Sequence, residues 1–191
     1  MKAMVWAVLV LGMAASIAPG EEMVDNPQYK HWAAFKPGAM TKHQMTNTSN
    51  VSDKEMTTKM TTTMTLKELT PEKAVIEVAA ETVVNGQEMA MPARTQEIPA
   101  KVAQSAAGLP AAPPGVTVTK KGEGDEEIAV GDKKYKAHWI EYQMSSDQFE
   151  ATSKVWTTAE VPGGLLKSVT ESTKPIKSKS TMELVEFKTG E

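Results

Sequence analysis

EMTTKMTTTMTLKELTPEKAVIEVAAETVVNGQEMAM, residues Glu55 to Met91, is the stretch on which the fold turns. From Glu55 to Lys67 it alternates strictly. Met56, Thr58, Met60, Thr62, Met64 and Leu66 fall on one side, and Glu55, Thr57, Lys59, Thr61, Thr63, Thr65 and Lys67 on the other. Successive strand side chains point to opposite faces, so this pattern describes a strand with one wet and one buried face. Thr70-Pro71-Glu72-Lys73 makes a turn. A second run then sets Ala74, Ile76, Val78, Ala80, Thr82 and Val84 against Glu77 and Glu81. Asn85-Gly86 is a hairpin signal, because a type I′ turn needs positive φ at both central positions.

Register follows from parity. An even turn at Pro71-Glu72 would set Leu66 opposite Glu77 and bring an apolar face beside a charged one, so an odd loop of three or five residues is expected. The Asn85-Gly86 hairpin pairs Val84 with Gln87, Thr82 with Met89 and Ala80 with Met91, which gives the three strands one apolar face. At about 3.3 Å per residue the first of them spans roughly 45 to 50 Å, too long to stay flat.

Working outward, Asp25-Asn26-Pro27 opens a short helix over Gln28 to Phe35, with a capping side chain and proline at the first helical position. Tyr29, Trp32 and Phe35 share one face of it, an aromatic stripe suited to plugging one end of a sheet. Met40 to Asn47 reads as a strand. Ile98 to Gly115, dense in Ala and Pro, reads as a crossover loop, with a short helix possible over Ala100 to Ala107. Strands resume at Val116 to Thr119 and Glu127 to Val130, with Gly122 to Asp125 as the turn between them. They continue at Lys133 to Met144, Gln148 to Thr158, Leu165 to Ser172 and Ser178 to Lys188. The expected fold is all-β with minor α: a strongly curved antiparallel meander, half-barrel-like, of about 9 to 11 strands with a short N-terminal helix.

Met1-Lys2, the apolar run Ala3 to Ala15 and the small residues up to Gly20 form a signal-peptide pattern over 1–20, which leaves 21–191 as one β-rich domain in a periplasmic or secreted setting. The chain holds no cysteine, which excludes disulfides and a lipidated cysteine. The formal charge is −3 with both signs interspersed, so neither a basic patch for nucleic acid nor an acidic tail is present. No later segment is apolar enough to span a bilayer as a helix.

Catalytic patterns are thin. His31, His43 and His138 are the only imidazoles, and there is no thiol nucleophile and no Gly-x-Ser-x-Gly elbow. No cofactor fingerprint and no zinc spacing occurs. The reading is therefore non-enzymatic. Methionine offers two chemistries. Met56, Met60, Met64, Met89 and Met91, with Met45 of His43-Gln44-Met45 on a neighbouring strand, can line a pocket for greasy ligands or supply thioethers to Cu(I). The interleaved Thr58, Thr62 and Thr82 favour a face that is not a dry core, since buried hydroxyls need partners.

Several segments together carry a resemblance. They are Pro27 to Gly38 with its Trp32-x-x-Phe35-Lys36-Pro37-Gly38, Met64 to Leu69, Asn85-Gly86, Gln96 to Lys101, Val161-Pro162-Gly163-Gly164 and Glu183 to Phe187. The chain resembles uncharacterised secreted β-rich bacterial proteins and, in architecture, the periplasmic lipoprotein-carrier fold. The resemblance implies a half-open curved antiparallel sheet with a helical or loop lid over an apolar cavity. The first expectation is thus an exported protein that binds an apolar small molecule or lipid on the concave face. That face would be lined by Met56, Met60, Met64, Ile76, Val78, Met89 and Met91, closed at one end by Trp32 and Phe35 and flanked at its mouth by Trp139 and Trp156. The alternatives are an envelope structural or interaction module without a ligand, and a methionine-based Cu(I) binder.

Overall fold

The computed structural model describes residues 22–51, 54–84, 87–104 and 115–190, with only the backbone described for 51, 84, 87 and 88. The signal-peptide pattern, the Asn85-Gly86 turn and residues 105–114 of the Ala/Pro-rich crossover lie outside the described residues.

Strand β1 (Met23–Asp25) leads into helix α1 (Pro27–Ala33). Then come β2 (Met40–Val51), β3 (Lys54–Leu69), β4 (Lys73–Val84), β5 (Gln87–Pro99) and β6 (Lys101–Ala103). The second half holds β7 (Thr117–Val130), β8 (Lys133–Ser145), β9 (Glu150–Thr157), β10 (Leu165–Lys174) and β11 (Ser178–Lys188). Nine strands form one antiparallel sheet in the order β5-β4-β3-β2-β11-β10-β9-β8-β7, and β1 pairs with β6 in a separate ribbon. The sheet is two meanders joined where β2 pairs with β11, and it does not close. Pro92 and Pro99 sit in β5, an edge strand, where a missing N–H leaves no inner ladder bond unmade.

The odd loop of three or five residues expected at the β3–β4 turn is not found, and the shared apolar face is reached by a different device. Thr70 N donates to Lys73 O at 2.9 Å, so the tip is the two-residue Pro71-Glu72 and the loop parity is even. Thr70 Oγ1 tightens it by accepting from Lys73 N at 3.1 Å. A bulge between Leu66 and Glu68 then restores the phase, so Leu66 pairs with Ile76 and Met64 with Val78. Across the next hairpin Thr82 pairs with Met89 and Ala80 with Met91, the register expected from the sequence.

Two further expectations meet corrections. Gly122 to Asp125 is not a turn: β7 runs unbroken from Thr117 to Val130, and the glycines are seats for an aromatic ring. A Cβ at Gly124 would lie 3.1 Å from Trp139 Nε1, and one at Gly122 would lie 3.4 Å from Trp139 Cη2. Of the span Ala100 to Ala107, where a short helix is expected, residues 101–103 form β6, held by the short β1, whose three residues carry no periodic signal, and 105–107 lie outside the described residues.

Helix α1 is fixed at its N-terminal end by its own polar residues. Asn26 caps it by accepting from Gln28 N at 3.0 Å, donates its Nδ2 to Pro99 O at 2.8 Å and donates its backbone N–H to Ala100 O at 2.9 Å. Tyr29 donates its hydroxyl to Thr70 O at 2.7 Å. Trp32 is fully buried with Leu66, Ala74, Ile76, Ile98 and Ala39, and Tyr29, Phe35, Met64, Leu69 and Val78 pack around them. On its other side Trp32 meets the β9–β10 loop, where a Cβ on Gly163 would come within 2.8 Å of the indole. Strands β4 and β10 stand four places apart, about 19 Å across a flat sheet. A helix about 10 Å wide touches both sides only because the sheet curves around it. A second core joins Tyr135, Ala137, Val161, Leu166 and Leu184, and Lys133 Nζ stands 5.8 Å from the Phe187 ring centroid although β8 and β11 are three strands apart.

Candidate ligand-binding face

Residues paired directly across antiparallel strands share a face, so the registers sort the sheet's side chains into rows. One row on the helix-bearing face reads Met89, Thr82, Met60, Met45, Met182, Ser168, Val155, Ile140. Three methionines, on β11, β2 and β3, are thus immediate neighbours at its centre. Toward the helix the face becomes apolar through Thr62 and His43 to Met64, Val78, Leu66 and Ile76. Away from it the next row reads Thr58, Asn47, Ser180, Thr170, Ser153.

Charge is divided between the two faces. Between the rows of Met56 and Leu66, strands β4, β3, β2, β11, β10 and β9 put no Asp, Glu, Lys or Arg on the helix face among the described residues. The opposite face carries them, in pairs such as Lys167–Glu183 at 2.6 Å, Lys179–Glu171 at 2.9 Å and Lys67–Glu77 at 3.3 Å. These pairs are exposed and worth little in stability. Their importance is positional, since they mark which face is built for water.

The predicted site residues divide into four groups. Met60, Met64, Met91 and Val78 lie half-buried on the helix face, and Ile76 and Trp32 are sealed beneath α1 at 1% exposure. Ile76, Trp32 and Phe35 therefore form a filled core that plugs one end of the face instead of lining a cavity. Met56 and Met89 stand 55% and 50% exposed at the rim. Trp139 and Trp156 do not flank the mouth. They pair with each other in the row Gly124, Trp139, Trp156, Lys167, Glu183, Gln44, Thr61, which at β11, β2 and β3 lies on the face away from the helix, and Trp156 also packs against the second core. There Lys154 Nζ sits 4.1 Å from the Trp139 ring centroid and 4.7 Å from that of Trp156, and the Trp156 indole N–H and Lys154 both donate to Glu126. Those donors hold the Glu126 carboxyl below the usual carboxylate range, the indole foremost.

His43 is the polar anomaly of the helix face. It is 1% exposed, and its Nε2 donates to Leu165 O at 3.0 Å, which leaves Nδ1 as an unprotonated nitrogen with no partner among the described residues. Burial lowers its pKa, opposed in part by the bond to Leu165. Thr41 Oγ1, two residues away, is also buried and unpartnered.

No family model and no curated relative matches this sequence. Comparison with solved structures finds distant similarities. A protein described as exported, with a YmcC-like fold, from Bacteroides fragilis is 9% identical, with 81% of this chain and 97% of that one covered and a TM-score of 0.44. A DUF1329 family protein from Desulfovibrio piger is 8% identical over 85% and 90% of the two chains, with a TM-score of 0.27. A LolA superfamily protein from Nitrosomonas europaea is 9% identical over 88% and 94%, with a TM-score of 0.24.

The two best-formed depressions among the described residues lie elsewhere. One, of about 450 Å³, is bordered by Gly115, Thr117 and Ser145 to Gln148, and the other, of about 300 Å³, by Thr48, Asn50, Glu171 to Thr173 and Lys177 to Lys179. Neither of these two depressions borders the methionine band. Sequence reasoning missed Met182, Asn47 and Ser180 as members of this face. Alternation assigns each a side, but only the pairing of β2 with β11, more than a hundred residues apart in the chain, brings them together.

Proposed function

We propose that this chain is an extracytoplasmic, non-enzymatic binding protein that holds an uncharged apolar chain against the methionine band of its curved sheet. The observation that carries this is the charge-free helix face of six adjoining strands. A water-facing sheet surface of that extent ordinarily carries interspersed charges, and a broad patch without them is built to be covered. Methionine suits the role because its unbranched thioether adapts to ligand shape. The export half of the reading rests on Met1-Lys2 and the apolar run to Ala15.

The test is saturable uptake of N-phenyl-1-naphthylamine by the chain lacking residues 1–20, read by dye fluorescence. Binding that Met45→Lys abolishes supports the reading. If the dye is not taken up, the face is an interaction surface without a ligand.

A second reading, a soft-metal site, is favoured by one observation: Met182, Met45 and Met60 are paired side by side. Neighbouring Cβ atoms stand about 5 Å apart, close to the roughly 4 Å between sulfurs that share an ion at about 2.3 Å. Three thioethers suit Cu(I) or Ag(I). Ag(I) titration decides it: one equivalent bound by the wild type and lost in the Met45→Leu, Met60→Leu pair is expected, and equal uptake by both proteins removes the reading.

A further inference from the structure

The row next to the methionines differs from them in a systematic way. Thr58, Asn47 and Ser180 are direct cross-strand partners on β3, β2 and β11, two residues along from Met60, Met45 and Met182. The two rows are thus about 6.7 Å apart. All three polar side chains are half-buried, and none bonds another described side chain or backbone group. Beyond Ser180 the row is closed by Thr170, whose hydroxyl is already paired with Ser153 at 2.9 Å. These three neighbouring strands therefore offer open hydrogen-bonding capacity beside the part of the face best suited to an acyl chain.

We infer that the ligand is an amphiphile with an uncharged polyol head, of the monoacylglycerol class, its chain on the methionine row and its head on Thr58, Asn47 and Ser180. This inference rests on the reading above and adds the chemistry of the head. Two hydroxyls and a carboxamide offer both donors and acceptors, the complement of a diol. They offer no charge to a phosphate or carboxylate. Lys54, the nearest cation along the same face, is four residues up β3 from Thr58, about 13 Å away. A charged head on this row would lose hydration without gaining a counter-ion, whereas a neutral diol exchanges water for like partners.

The experiment is displacement of N-phenyl-1-naphthylamine from the chain lacking residues 1–20 by three probes of equal chain length: monomyristoylglycerol, myristate and myristoyl-lysophosphatidylglycerol. Monomyristoylglycerol is expected to bind about tenfold more tightly than either anion, the scale of a few well-made neutral hydrogen bonds. Asn47→Leu should erase that preference, and Ser180→Ala provides a milder variant should Asn47→Leu not fold. Equal displacement by the three probes, or a preference that survives the variants, overturns the inference while dye binding still supports the apolar site. If the dye itself does not bind, both fall.

Discussion

Two single residues act where α1 meets the β9–β10 loop and the strands beneath. Gly163 has φ of +70°, and a Cβ there would come within 2.8 Å of the buried Trp32 ring. Backbone strain and overpacking therefore act together, and Gly163→Ala is expected to cost about 2 to 4 kcal/mol in urea unfolding. A loss below about 0.5 kcal/mol would mean that the loop does not hold the helix. His43 gives stability a pH dependence. Thr62 and Leu184 pair with it across β3 and β11, and Thr41 and Met45 flank it on β2, so no carboxylate faces it to favour the charged ring. Its folded pKa lies below the ordinary value of about 6.5 because burial disfavours the imidazolium. The unfolded chain thus takes up a proton first as pH drops. The contribution of His43 is complete above about pH 6.5 and is lost as the pH falls through the folded value. His31, half-buried against Gly164, shifts in the same direction for the same cause. Melting temperature should accordingly fall on acidification below about pH 6.5, and His43→Leu should flatten that slope without removing the part due to His31. An unchanged slope in the variant would show that His43 is not the responsible group.

At the scale of elements, the bulge at Lys67 is the device that keeps β3 and β4 in phase. With an even turn at Pro71-Glu72, one extra residue is needed to set Leu66 over Ile76, and Lys67 is that residue. Deleting Lys67 leaves every core pairing in place, so the chain should fold with a loss of about 1 kcal/mol or less. Deleting Thr65 shortens β3 by the same amount but puts Lys67 where Leu66 was, opposite Ile76. That should cost about 3 to 5 kcal/mol, the loss of a buried leucine plus the burial of an amine. Similar losses for the two deletions would mean that the strands choose their register elsewhere. The same comparison shows what the sequence makes legible. Strand faces from Met40 to Val84 and from Glu150 to Lys174 follow from alternation, since these strands keep their charges mainly on one side, whereas β8 carries Lys133 and Glu141 on one side and Lys134 and Lys136 on the other. What alternation does not carry is pairing. Gly122 and Gly124 look like turn residues because nothing local reports that Trp139, on the neighbouring strand, needs a flat seat. Strand β1 is too short to show a period and exists only because β6 lies beside it.

The whole molecule is a sheet with two faces of different chemistry, and its candidate site is a consequence of topology more than of any motif. The charged side of strands such as β3 and β4 could be read locally, but the uncharged side becomes one continuous surface only because the first and last long strands, β2 and β11, join the two meanders. That junction places Met182 beside Met45 and Ser180 beside Asn47. It also puts Trp139 and Trp156 in one row with Glu183 and Gln44, where Lys154 covers them. The arrangement makes a prediction that no pairwise contact makes. Gln44 and Met45 are adjacent in sequence on the same strand and face opposite ways. A lysine at Gln44 joins a surface that already alternates Lys and Glu, beside Glu183 across the ladder, so Gln44→Lys should leave stability within about 0.5 kcal/mol of the wild type and dye binding unchanged. A lysine at Met45 enters a region with no counter-ion. Met45→Lys is therefore expected to abolish N-phenyl-1-naphthylamine binding and to cost about 1 to 3 kcal/mol, less than a fully buried charge because the methionine is only half-buried. Chemical unfolding and dye titration of the two variants measure both quantities on one pair of proteins. Equivalent behaviour would show that the faces are not functionally distinct, and the binding reading would fail with them.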